Sequence, residues 1–414
     1  MKVTALITEY NPFHNGHAYH IEQARRITGA DFIVVVMSGN FVQRGEPAVF
    51  DKSLRTEMAL RCGADLVLEI PTRFACGSAE YFAEGAVSLL NGLGCVNYLC
   101  FGSEAGTLSI LSEISDILTE EPQLYQSALQ HTLKKGVGFP AAREAALANI
   151  LCCIDSFSPA QLHELLIQPN NILGIEYLKA LKKSCSSITP VTIQRIGNHY
   201  HDTKTTGQFV SATALRQQIF KQPSNPTALS PYIPVDALAV LPPFPLAVCL
   251  DDFSQMLHYR LLTASDWHVF ADCFDVPEDL ARRIFSMRYK FTTFTEFVIL
   301  LQTRNYTASS VRRALLHILL QLSAEPQIRT AEYARILGFR RVSAALLHAI
   351  KENGQLPLLS KPAAAPILFA AQQNSLAVQL FTEDIRSSEL YIAVTAHKNK
   401  ETGRSEFTRP VVVV

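Results

Sequence analysis

Two histidines three residues apart, His14 and His17, stand in the run Thr8-Glu9-Tyr10-Asn11-Pro12-Phe13-His14-Asn15-Gly16-His17. At the first turn of a helix, that spacing puts both imidazoles on one side. Two donors aimed at one point suit an oxyanion on a transferring phosphoryl group. Gly16 lets the main chain approach closely. A helix N-terminus adds unpaired N–H groups and the positive end of its dipole. The same pair also fits surface residues or two ligands of a zinc ion, although the sequence supplies no obvious further zinc ligands. A second corner, Ser211-Ala212-Thr213-Ala214-Leu215-Arg216, opens a later helix with hydroxyls at its start and Arg216 one turn in. It suits β- and γ-phosphates, and equally an ordinary hydroxyl cap.

These groups need a scaffold, and the hydrophobic pattern describes one. Short apolar runs at Val3–Glu9, Asp31–Met37, Asp65–Ile70, Asn97–Gly102 and Val191–Ile196 predict strands. Helical stretches at about His17–Thr28, Lys52–Cys62 and Ser78–Leu93 separate the first four, which implies crossovers and a parallel sheet covered on both faces. The histidine run falls between the first strand and the first helix, where open parallel sheets bind ligands. The fold class is therefore α/β, with a Rossmann-like parallel-sheet domain over residues 1–222. The Pro-rich stretch Gln222–Pro234 marks a boundary. Residues 223–414 read as a mainly helical domain with a short strand-rich end that includes ELYIAVTA and the terminal PVVVV.

Composition narrows the function classes. The 414 residues are 48% hydrophobic and 18% charged, which excludes a largely disordered chain. Lys+Arg and Asp+Glu are 37 each, so no polybasic coat covers the whole protein. No apolar run is long enough to span a bilayer, and the N-terminus lacks the apolar core of a secretory signal. A cytoplasmic protein with no membrane role is expected, and no protein partner is implied. Nine cysteines without a CxxC pair read as reduced thiols. The charge is nonetheless uneven. Between residues 280 and 345 there are eleven Lys and Arg against three Glu, with Tyr289, Phe291, Tyr306, Tyr333 and Phe339 interleaved. Such a strip suits a phosphate backbone and unpaired bases, or else arginines lying over helical faces.

The pairing of an early HxGH with a late S-x-T-x-x-R is similar to the nucleotidylyltransferase superfamily. EYNPFHNGH, SGNFVQRGEPA (Ser38–Ala48), LCFGSE (Leu99–Glu104), NNILGIEYLKAL (Asn170–Leu181) and RIGNHYHD (Arg195–Asp202) together resemble the bacterial tRNA(Met) cytidine acetate ligase family. RRALLHILL (Arg312–Leu320) and YARILGF (Tyr333–Phe339) extend the likeness along nearly the whole chain. The resemblance implies a nucleotidylyltransferase fold that uses ATP and acetate. It implies acetyl-adenylate formation, then acetylation of the wobble cytidine in the anticodon region of elongator tRNA(Met).

The resemblance carries ATP contacts onto Ile7, Thr8, Glu9, Tyr10, Asn11, Pro12, Phe13, His14, Asn15, Gly16, His17, Ala18, Tyr19 and His20. It adds Gly102, Asn170 or its neighbour Asn171, Arg195 and Ile196. His14 and His17 are expected to stabilise charge on the phosphate under attack. Ser211, Thr213, Arg195 and Arg216 are expected on the remaining phosphates, and Mg²⁺ bridges phosphate oxygens with no protein ligands assigned. Ala212 stands where related enzymes often carry a second Ser. Gly39, Asn40, Gln43 and Arg44 form a polar loop that reads as a lid near acetate or the target base, or as a solvated turn. Lys52, Arg55 and Glu57 read as a charged helix face, with Lys52 able to reach phosphates. The candidate tRNA contacts are Arg282, Arg283, Arg288, Lys290, Arg312, Arg313, Arg340 and Arg341. A small-molecule nucleotidylyltransferase and a non-catalytic RNA-binding protein on the same fold stay open as alternatives.

Overall fold

Five runs rich in Val, Ile and Leu build the centre of the molecule. In a computed structural model, which describes residues 1–151, 158–195, 210–221, 226–242 and 247–414, ten strands are present. They are β1 (Val3–Thr8), β2 (Phe32–Ser38), β3 (Phe41–Val42), β4 (Glu46–Pro47), β5 (Leu66–Ile70), β6 (Tyr98–Ser103), β7 (Thr189–Gln194), β8 (Ala334–Phe339), β9 (Leu358–Leu359) and β10 (Val412–Val413). β5, β2, β1, β6 and β7 lie side by side in that order and run parallel. The chain steps outward from β1 to β2 and β5, then returns to the other side of β1 for β6. The reversal between β1 and β6 is a topological switch point, and it leaves a crevice at the strands' C-terminal ends.

Alternate residues of each strand serve opposite faces. Ile33, Val35 and Met37 pack with Ile21 and Leu60 of the helices α1 (Asn15–Thr28) and α2 (Lys52–Arg61). Val34 and Val36 pack with Phe82 and Leu90 of the helix Ala79–Gly92. A further apolar cluster lies mostly between residues 248 and 322, around Phe253, Phe270, Ile284, Phe294 and Leu315, and it reaches Phe41 and Tyr391.

The sheet does not stop at residue 222. β8 pairs antiparallel with β5, and β9 and β10 both pair parallel with β8. One sheet therefore holds strands from both sides of the expected boundary. The expectation of strands across ELYIAVTA is corrected, because these residues lie in the 25-residue helix Ser375–Asn399. Asn374 caps it by accepting from Ala377 N at 2.9 Å. Its buried face carries Glu383, Asp384, Ser387, Ser388 and Tyr391, which recur at helical spacing.

Lys52 and Arg55 are buried rather than a solvated face, at 1% and 0% exposure. Arg55 donates to four main-chain carbonyls, those of Glu9, Ser38, Gly39 and Phe50. Lys52 Nζ meets Glu69 and Glu406 at 2.7 Å each, and Arg335 meets the same two carboxylates. Two cations and two anions thus close a neutral cluster beside the sheet. No helix among the described residues is long and apolar enough to cross a membrane.

Candidate active site

The crevice between β1 and β6 opens into a cavity of about 490 Å³. Ile7, Thr8, Glu9, Tyr10 and Asn11 form its floor at the end of β1. His14, Gly16, His17, Tyr19 and His20 come from α1, Gly102 from β6, and Asn170 from the helix Pro169–Lys183. Arg195, Ser211 and Arg216 close the other side, and Gln43 and Arg44 reach in from the β3–β4 turn. Residues more than two hundred positions apart thus share one space.

The HxGH turn is held from within. His14 is the N-cap of α1, and its Nδ1 accepts from Gly16 N at 3.0 Å. His14 N donates to His17 Nδ1 at 3.2 Å. The rings stack with centroids 3.7 Å apart. A Cβ at residue 16 would lie 2.9 Å from His14 Cε1, so only glycine admits this stack. Each Nδ1 accepts a main-chain N–H, so each neutral ring carries its proton on Nε2. Burial, reinforced by Arg195 and Arg216, pushes His14 down to about 3. Burial and the His14 and Arg195 charges hold His17 well below its ordinary value, and burial and Arg195 lower His20 to about 4. The site therefore presents neutral imidazole donors beside two guanidinium groups.

Arg216 is anchored at the mouth. Its Nη1 donates to Asn11 O at 2.8 Å and its Nη2 to Thr213 Oγ1 at 3.1 Å. Ser211 Oγ accepts from Ala214 N at 3.1 Å. Glu9 Oε1 accepts from Gln43 N at 2.9 Å, and burial raises its pKa against the pull of that bond and of Arg216. Glu104 accepts from Asn170 Nδ2 at 2.6 Å and from Asn171 N at 3.0 Å. Asn171 turns away, spending its side chain on Ala105 N and Leu165 O. The cavity-facing asparagine is Asn170.

Several sequence candidates stand behind the cavity wall. Phe13 is core, and Pro12, Asn15, Ala18 and Thr213 do not line the space. Gly39 and Asn40 are structural. A Cβ on Gly39 would lie 2.3 Å from Glu69 Oε1, and Asn40 Oδ1 accepts from Lys52 N at 2.9 Å. Only Gln43 and Arg44 of that loop reach the cavity. Ile196 lies outside the described residues.

The basic strip is not one face. Arg282 lies over the Trp267 ring at 3.8 Å, and Arg283 donates to Leu300 O and Leu301 O. Arg288 covers Phe285 and Tyr289, and Lys290 is exposed. Arg312 pairs with Glu46, while Arg313 lines the cavity itself. Arg340 pairs with Asp65 at 3.3 Å, and Arg341 N donates to Val414 O. Both follow the end of β8, beside the start of β5 and so at the edge of the sheet away from the cavity.

Comparison with known proteins decides the family. A family model described as HIGH Nucleotidyl Transferase matches residues 1–406. A tRNA(Met) cytidine acetate ligase of Acetivibrio thermocellus is 39% identical over 434 residues, covering 100% of both chains. One from a Thermoanaerobacter species is 38% identical over 419 residues, again covering 100% of each. The crystal structure of Thermotoga maritima TmcAL bound with alpha-thio ATP superposes with a TM-score of 0.89 at 30% identity, covering 100% of both chains. The chain belongs to the tRNA(Met) cytidine acetate ligase family. The apo crystal form of Thermotoga maritima TmcAL, 30% identical, superposes with a TM-score of 0.91.

Sequence reasoning gave no role in this cavity to several of its residues. Phe82, Phe101 and Tyr177 form an apolar flank, with the Phe101 and Tyr177 rings 5.7 Å apart. Those aromatics sit within ordinary apolar helix and strand patterns, which gave no reason to single them out. Arg313 and Ser309 arrive from a helix, Ala308–Leu320, that sequence spacing could not bring to the cavity. Glu104 ends the run LCFGSE, and its role in holding Asn170 needed the fold.

Proposed function

We propose that this chain is an ATP-dependent tRNA(Met) cytidine acetate ligase. The triphosphate lies along the HxGH turn, with the Nε2–H groups of His14 and His17 on the phosphate under attack. Arg195 and Arg216 neutralise the other phosphates, and Gln43 and Arg44 close over the reactants. An acetate oxygen attacks the α-phosphorus, the bond to the β-phosphate breaks, and pyrophosphate leaves. The N4 amino group of the wobble cytidine then attacks the acetyl carbon. The acyl–oxygen bond breaks, AMP departs, and N4 gives up one proton. Acetate is already anionic at neutral pH, so positioning and electrostatics supply most of the acceleration.

Among the described residues, no three His, Cys, Asp or Glu side chains are grouped to hold a metal. Mg²⁺, if the reaction uses it, would be held mainly by the nucleotide's phosphates and would supply neutralisation of their charge. Arg282, Arg283, Arg288 and Lys290, set on the helical region beside Trp267, are our candidates for the RNA backbone. Arg340 and Arg341 stand too far round the sheet to share that path. The chemistry belongs in the cytoplasm, where ATP and tRNA meet.

One observation carries the reading. The histidine pair, Arg195, Ser211 and Arg216 converge on a single cavity at the β1–β6 switch point, in a chain alignable end to end with known members. The test is acetate-dependent exchange of pyrophosphate into ATP, followed by nucleoside mass analysis of tRNA supplied with labelled acetate. Exchange should require acetate and fall by roughly 10²–10³ in His17→Ala. Wild-type exchange in that variant would overturn the assignment.

A further inference from the structure

A second cleft of about 330 Å³ lies against the first cavity, and Arg216 lines both. Its walls are the β3–β4 hairpin, the helix Ala212–Lys221, and the helices Phe294–Leu301 and Ala308–Leu320. Inside it, Glu46 and Arg312 form an ion pair, each side chain 22% exposed. The pair uses Glu46 Oε1 and Arg312 Nη1. Glu46 Oε2 and Arg312 Nη2 have no other hydrogen-bond partner among the described residues, and Arg312 Nε is buried with none. At the rim, Phe220 is 43% exposed and Ile299 57% exposed, large apolar groups only partly covered by the described residues.

The geometry holding this pair is rigid. Gly45 has φ +74°, and a Cβ there would lie 2.6 Å from Arg313 N and 2.8 Å from Arg312 C. The hairpin therefore rests directly on the main chain of the helix that carries Arg312, which sets Glu46 opposite it. An acceptor next to a donor fits the pairing edge of cytosine, the base the ligase reading requires, and in the same way that of adenine. Cytosine presents N4–H₂ as donor, then N3 and O2 as acceptors; a carboxylate accepts from N4. Held in the same orientation, uracil would turn its O4 acceptor onto the carboxylate and be repelled. A flat apolar rim is what an unstacked loop base needs on its face.

We propose that this cleft receives the target cytosine, with Glu46 and Arg312 reading its pairing edge and Phe220 and Ile299 flanking its ring. This deepens the ligase reading and rests on it. Arg216, shared by the two spaces, marks where the base meets the adenylate.

Binding of whole tRNA(Met) transcripts with cytidine or uridine at the wobble position tests the reading edge. Wild-type protein should prefer the cytidine transcript by roughly tenfold or more. In Glu46→Gln, whose amide can offer either a donor or an acceptor, the ratio should collapse toward one. Ile299→Trp fills the exposed rim without touching the nucleotide cavity. It should lower tRNA acetylation at least about tenfold while acetate-dependent exchange continues at the wild-type rate. Glu46→Gln with the wild-type ratio, or Ile299→Trp with wild-type acetylation, would overturn the cleft alone. Loss of exchange in Ile299→Trp would overturn it too, because the cleft would then serve the nucleotide. Wild-type protein without any acetate-dependent exchange would sink the ligase reading itself.

Discussion

Imidazoles that spend Nδ1 on the main chain have one proton to offer, on Nε2, and no charge to offer until an anion arrives. His14 is held at about 3 and His20 at about 4, chiefly by burial. In the unfolded chain each returns to about 6.5. Below that pH the unfolded chain binds more protons than the native one, so stability is fully present above it and falls as the pH drops. Thermal unfolding of unliganded protein between about pH 7 and 4 should show this slope, and His20→Gln should flatten it. A triphosphate reverses the balance by favouring the charged rings. Titration calorimetry near pH 6, in buffers of different ionisation enthalpy, should register proton uptake on ATP binding. The uptake should shrink when His14 and His17 are replaced by Gln. At this scale the sequence was most informative, because the spacing that sets two donors on one side lies within four adjacent residues; the cap and the stack needed the structure. Choosing Asn170 over Asn171 needed Glu104, whose partner lies 66 positions away.

The β3–β4 hairpin shows what an element adds. The glycine-bounded, polar loop that contains its turn, Gly39 to Gly45, reads from sequence as a lid or a solvated turn, and half of that loop is scaffold. Gly39 yields space to Glu69, and Asn40 ties down the start of α2. Gly45 is the critical position, left-handed and pressed on the helix Ala308–Leu320. Gly45→Ala should destabilise the protein by about 1–3 kcal/mol, from backbone strain and the clash with Arg313 N. Denaturant unfolding measures it, and an unchanged midpoint would refute the close packing. The charged run in α2 misled for a related reason. Lys52 and Arg55 look solvated by type, yet Arg55 collects carbonyls where β1 and β2 end. Charge type alone does not report burial when the partners are main-chain atoms or distant carboxylates.

For the whole molecule, the parallel core was legible strand by strand, because buried parallel strands read as continuous apolar runs. The pairing of β8, β9 and β10 onto that sheet was not, although the terminal PVVVV, which holds β10, already read as a strand. Two of these strands are two residues long, and all lie beyond a convincing proline boundary. The helix Ser375–Asn399 hid behind β-branched and aromatic residues; its periodicity is carried by buried polar groups instead. Those groups and Glu406 bind the C-terminal region to the sheet. Burial would raise the Glu406 pKa, but Lys52 and Arg335 overcome it and hold the carboxyl at about 2. Its contribution to stability is thus present above about pH 4.3 and lost as pH falls toward 2. Glu406→Gln leaves the cluster with an unmatched buried positive charge and should cost about 3–5 kcal/mol. Equilibrium unfolding at neutral pH measures this, and a loss below about 1 kcal/mol would show that the cluster relaxes.

One short turn carries Gln43 and Arg44 toward the larger cavity and Glu46 toward the neighbouring cleft. It works as a party wall, and a party wall cannot be leaned on from one room without moving in the other. Whatever factor RNA lends to nucleotide affinity, nucleotide must return to RNA in full. On the proposed reading, a labile mixed anhydride would gain from such an arrangement, since the same turn would shelter it and register the arrival of its acceptor.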